Sequence, residues 1–139
     1  MKRTIAGVVC LTIVAFGAAM ARASTNNDWV GIWNAHVDGQ PTGTLTLAAD
    51  TGELGGTVVL DMVCCEGKDH PHVIAREPHV LMSPRTNGNT LSFQVRVKRP
   101  DGMMVVSSFT VTLTSPGKAN IHCVDCGPDA PVVALTKGQ

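Results

Sequence analysis

The chain has 139 residues, 44% of them hydrophobic, with 11 basic and 11 acidic side chains and no formal net charge at neutral pH. A chain of this balance without a basic run is excluded as a binder of nucleic acid, because phosphate recognition requires clustered Lys and Arg. The length fits one domain with a single packed core.

The first residues follow the plan of an export signal: Lys2 and Arg3 give a charged start, Ile5 to Met20 is largely apolar, and Ala21-Arg22-Ala23 carries small residues where a signal peptidase reads. Residues 1–23 are therefore expected to be removed before Ser24, with 24–139 forming one domain. The apolar run is shorter than the roughly 20 residues of a spanning helix and no second run follows, so no membrane span is expected after cleavage. Cys10 lacks the preceding Gly, Ala or Ser of a lipoprotein acylation site and leaves with the signal. Removing 23 of the 139 residues leaves 116, and the loss of Lys2, Arg3 and Arg22 takes the 11 basic residues to 8 against 11 acids. Export places the domain in the periplasm or outside the cell, where an even set of four cysteines points first to disulfides.

Beyond the signal, helix patterns are almost absent and a period of two recurs, which predicts strands. Residues 29–37, "WVGIWNAHV", form the first, with Gly31 marking a bend or close approach. Residues 42–48 and 55–65 follow as a hairpin, with Asp50 and Gly52 supplying its turn. Between 66 and 90, "HVIA" and "HVLM" are two short candidate strands among Pro71, Pro78 and Pro84. Leu91, Phe93, Val95 and Val97 then alternate with polar residues, as do Phe109, Val111 and Leu113, and the Pro-Asp-Gly at 100–102 turns one run into the other. Short strands at 120–124 and 132–136 close the chain. The expected architecture is an all-β, antiparallel up-and-down meander of seven to nine strands, closed or nearly closed as a barrel, with a β-sandwich as the alternative. Its inward row would be Leu45, Leu47, Val58, Leu60, Met62, Phe93, Val95, Phe109, Val111 and Leu113.

Residues 31–59 carry a Gly-x-Trp start and a hairpin whose second half reads Gly-x-Leu-x-Gly-Thr from Gly52 to Thr57. This resembles the opening of the calycin-type barrels, the lipocalins and avidins. It is also similar to a group of uncharacterised exported bacterial proteins with an "xDGxPxGxLTL" hairpin and a "PRxxGxTLxFxV" strand, matched here by Pro84 to Val95. In lipocalins the Gly-x-Trp tryptophan plugs the closed end of the barrel, a role the resemblance implies for Trp33. Avidin-type biotin binding uses several tryptophans and a tyrosine, whereas this chain has only Trp29 and Trp33 and no tyrosine, so biotin is not expected. The external helix and the Thr-Asp-Tyr turn of lipocalins are missing as well. The resemblance implies a fold and leaves function to the site.

Two chemistries compete for Cys64, Cys65, Cys123 and Cys126. A bond between the neighbours Cys64 and Cys65 would strain the peptide unit, so one or two long-range bridges from this pair to Cys123 and Cys126 are expected. Neighbouring side chains on a strand face opposite ways, which lets one of the pair reach Cys123. The alternative is a zinc or copper site built from these sulfurs with His70, His72 and His122. A redox dithiol is disfavoured, because Gly127 and Pro128 follow "CVDC" where a thioredoxin-type site has a helix. No catalytic residue is assigned, since no nucleophile elbow or phosphate loop occurs. The functional expectation is a non-enzymatic exported barrel, without a cofactor, that binds a small apolar ligand or serves as a structural or interaction module. Trp33, Leu60, Met62, Phe93, Val95, Phe109 and Val111 are the expected cavity residues.

Overall fold

The computed structural model describes residues 25–64, 72–99 and 101–139, with backbone alone for 60–64 and 72–75. The proposed signal and cleavage site lie outside these residues, as do Cys65, His70 and Pro100.

One helical turn, α1 (Asn26–Trp29), precedes nine strands: β1 (Gly31–Val37), β2 (Gln40–Asp50), β3 (Glu53–Cys64), β4 (His72–Val80), β5 (Met82–Asn87), β6 (Thr90–Lys98), β7 (Met104–Ser115), β8 (Lys118–Cys123) and β9 (Val132–Lys137). They form one antiparallel sheet in the order β4-β3-β2-β1-β9-β8-β7-β6-β5. The meander is thus as expected, with the chain's first and last strands side by side at its centre.

The hairpins obey local rules. At the tip of β2 and β3, Asp50 pairs with Glu53 around Thr51 and Gly52, both with positive φ (48° and 87°), the geometry of a tight two-residue turn. Between β6 and β7, the Gly102 N–H donates to Arg99 O (2.8 Å) and the Met103 N–H to the Asp101 carboxylate (2.9 Å), which sets Phe93 opposite Phe109. The two rings stack with centroids 5.6 Å apart, a contact worth roughly 0.5–1.5 kcal/mol beyond burial.

Two features depart from the sequence reading. Residue 29 is not in the first strand: the Asp28 carboxylate accepts from the Thr25 N–H (2.7 Å), winding Asn26–Trp29 into a turn before β1 begins at Gly31. The stretch 72–87 holds two strands, as expected, but with other bounds: β4 starts with "HVIA" and runs on to Val80, and "HVLM" straddles the junction with β5 at Leu81. There one continuous segment changes partners, β4 pairing with β3 and β5 with β6. The Leu81 N–H donates to Gly56 O on β3 (3.0 Å), while the His79 imidazole Nδ1 lies 3.1 Å from Arg96 O on β6. Both edges of the sheet therefore approach each other across this corner. Among the described residues no ladder joins β4 to β5 or β6, so the sheet is not closed by strand pairing.

Period-two burial places one face of the sheet inside. Leu45, Leu47, Val58, Phe93, Val95 and Val111 are buried as the alternation predicts, while Phe109 and Leu113 are half-buried against them. Leu60 and Met62 lie on β3, with their side chains outside the described set. Trp29, Trp33, Ala35, Leu81, Leu91, Ala119, Ile121 and Leu135 complete the core, each of the larger ones contributing about 1.5–3 kcal/mol through removal from water. Among the described residues no helix is long and apolar enough to cross a membrane.

Candidate functional site: an apolar cavity beside a disulfide-pinned loop

Antiparallel pairing gives the molecule two ends. One gathers α1 and the turns at 51–52, 88–89 and 116–117. The other gathers the Asp38-Gly39 turn, the β6–β7 turn, the β8–β9 loop, the end of β3 and the start of β4.

The first end is sealed by tryptophan. Trp33 and Trp29 are fully buried with ring centroids 6.3 Å apart, and the Trp33 Nε1–H donates to Trp29 O (2.8 Å). The Lys137 ammonium donates to Asp28 O (3.0 Å) and sits 5.5 Å from the centroid of the Trp33 ring, tying β9 to α1. Trp33 and Trp29 together thus fill this end of the core.

Toward the second end lies a half-open cavity of about 530 Å³. Its walls are Ala35 and Val37 on β1, Gly43 and Leu45 on β2, Val58 on β3, Phe109 on β7, Ile121 and Cys123 on β8, and Val133 and Leu135 on β9. The β8–β9 loop adds Cys126, Asp129, Ala130 and Pro131. Ala35 on β1 pairs with Gly43 on β2, which sets two small residues opposite each other in this wall. That loop is fastened several times. Val124 N–H donates to Ser108 O (2.8 Å), and the Ser108 N–H donates back to the Asp125 carboxylate (3.0 Å). A disulfide joins Cys123 to Cys126, with Cα atoms 5.4 Å apart, and the Ala130 N–H donates to Gly127 O (3.3 Å).

Of the expected cavity residues, Phe109 lines the space. Trp33, Phe93, Val95 and Val111 do not: they pack in the filled half, where large side chains from facing strands leave no room. The side chains of Leu60 and Met62 lie outside the described set. Sequence reasoning missed Ala35, Gly43, Ala130 and Pro131, since small residues and loop prolines carry no periodic signal.

The cysteine expectation also changes. Cys123 and Cys126 bond to each other, so neither is available for a long-range bridge to Cys64 or Cys65. Chain reversal through Val124 and Asp125 brings the two sulfurs together locally, which spacing alone did not reveal. Cys64 ends β3 directly opposite His72, the first residue of β4, at the same end of the sheet as the disulfide. For a metal, the structure groups Cys123, Asp125 and Cys126, whose ligand atoms all lie within 4.8 Å of one another. Asp125 was not an expected ligand. His122 is not in the group, because it alternates to the face opposite Cys123, with its Nδ1 buried and unpartnered. In the bonded state the sulfurs carry no thiolate and the carboxylate already accepts from Ser108, so this donor set suits a soft cation only when reduced.

Comparison with protein-family models, curated proteins and solved structures finds no match to this chain, and the functional reading therefore rests on the cavity and its walls.

Proposed function

We propose that this protein is an exported, calycin-like β-barrel that holds a small apolar molecule in the cavity between β1, β2, β3, β7, β8 and β9. The observation that carries this reading is the cavity itself: about 530 Å³, inside the range of small-molecule sites, with aliphatic and aromatic walls. Supporting it is the layout of a cup, in which two tryptophans fill one end while the space lies toward the other. The return of β4 into β5 at Leu81, where both sheet edges meet, supports a barrel closed by a bent strand rather than by a ladder. An oxidising compartment is supported by the disulfide and by the signal-like start.

The test is titration with the neutral fluorophore N-phenyl-1-naphthylamine. Saturable enhancement at one site per chain is expected, and its loss in Val133→Trp, which fills the cavity from β9, with unchanged far-ultraviolet circular dichroism. Undiminished binding by that variant would move the site elsewhere, and absence of binding by the native chain would remove the reading. A second reading, metal binding, is favoured by the Cys123, Asp125 and Cys126 group alone. It requires one equivalent of zinc or copper(I) to be retained by the reduced protein and lost in Cys126→Ser.

A further inference from the structure

We propose that the cup selects its ligand by charge, taking a cationic amphiphile, an alkyl amine, in preference to a neutral or anionic one of the same length. This rests on the apolar-cup reading and adds the headgroup to it. The disulfide-bonded cysteines aside, Asp129 is the single ionisable residue among the described residues that line the cavity. Its lack of partners sets it apart from two other acids at that end, Asp125 and Asp101. The Asp125 carboxylate accepts from the Ser108 N–H, and that of Asp101 accepts from the Met103 N–H and lies 3.9 Å from the Arg99 guanidinium. Asp129 has no hydrogen bond or ion pair among the described residues, and it is exposed at the mouth of the cavity.

The surroundings reinforce that sign. Asp38 stands in the turn directly after Val37, a wall residue, and Asp125 stands in the same loop as Asp129. The described cations of the β6–β7 end are Lys98, which alternates to the outer face with Arg96, and Arg99, which lies beside Asp101. An alkyl chain in the apolar walls would therefore bring an ammonium group against Asp129, whereas a carboxylate would meet repulsion. Thr42 and Thr44 supply hydroxyls that accept or donate and so do not discriminate charge. Because Asp129 is solvent-exposed, the attraction is that of a surface ion pair, roughly a two- to fivefold gain in affinity, and salt screens it.

Decylamine, decanol and decanoate test this by displacing N-phenyl-1-naphthylamine from the full chain below their aggregation concentrations. The expected order is decylamine tightest and decanoate weakest, each step roughly two- to fivefold at low salt and compressed in 0.5 M sodium chloride. Asp129→Asn is expected to flatten the order while leaving decanol unchanged, and Asp101→Asn to leave the order intact. Equal affinities for the three, tightest binding of decanoate, or equal flattening by Asp101→Asn would each overturn the assignment to Asp129 while the cup stands. Failure of the fluorophore to bind would bring down the cup and this inference together.

Discussion

Removing the Cys123–Cys126 bridge should cost less global stability than a long-range bridge would, but much of the cavity. Cys123 is buried and Cys126 exposed, so the double variant Cys123→Ala/Cys126→Ser replaces each with a residue suited to its environment. The bonded residues are separated by 3 in sequence. Cross-linking restricts the unfolded chain according to the length of loop closed, and a loop of four residues corresponds to about 2 kcal/mol, against about 4 kcal/mol for a loop of some 60 residues such as Cys64 to Cys123. With a urea slope of about 1.2 kcal/mol/M for a domain of this size, the midpoint should fall by roughly 1.5 M. Paired urea titrations under non-reducing conditions measure this, and fluorophore titration of the same variant should show binding weakened at least tenfold, because the loop wall loses one of its fastenings. A stability loss approaching 4 kcal/mol, or proteolytic mapping that joins a peptide containing residue 64 or 65 to one containing 123 or 126, would refute the local bridge.

Gly55 and Gly56 should respond oppositely to alanine. A Cβ at Gly56 would overlap the carbonyl oxygen of Thr46 in the paired strand, and backbone cannot yield as a side-chain tip can, so Gly56→Ala should destabilise by about 2–3 kcal/mol in urea unfolding. Nothing lies within 4 Å of a Cβ at Gly55, so Gly55→Ala should be neutral or stabilising by up to about 1 kcal/mol. Lys137→Met removes the bond to Asp28 O and the cation above Trp33; a loss of about 1–2 kcal/mol and a red-shifted tryptophan emission are expected, and unchanged emission would show that the ammonium does not hold the plug. Asp125→Ala should cost about 1–2 kcal/mol by stranding the Ser108 N–H, whereas Asp125→Asn, which keeps an acceptor oxygen, should cost less than half as much in the same thermal or urea assay.

The readable parts of the fold were those with local causes. Leu91 to Val97 and Phe109 to Leu113 announce themselves by alternation, and the Asp101-Gly102 turn joins them within a few residues. The β4–β5 segment was obscure for a physical reason: His79 is the buried residue where an apolar one would keep the pattern, Pro78 and Pro84 interrupt it, and the partner strand changes at Leu81. The cavity was less legible still. Alternation marks which side chains face inward, yet which level of the interior is filled depends on what faces what across the sheet. Phe109 stacks on Phe93 and still borders the cavity, and Ala35, which pairs with Gly43, borders it from the other side. The disulfide was misjudged because the reversal at Val124 depends on the Ser108 backbone of β7, a partner not evident from the four residues of the motif.

The pairing of β1 with β9 sets an order of events. Every other ladder described here joins strands consecutive in the chain, but Trp33 against Lys137 must span about a hundred residues, at an entropic cost of about 4 kcal/mol for that closure. The hairpins can form as the chain lengthens, yet the centre of the sheet must wait for its final strand. Until then β1 and β8 each present an unsatisfied row of backbone donors and acceptors, so synthesis or secretion halted before residue 132 would release a chain primed to pair with its own copies.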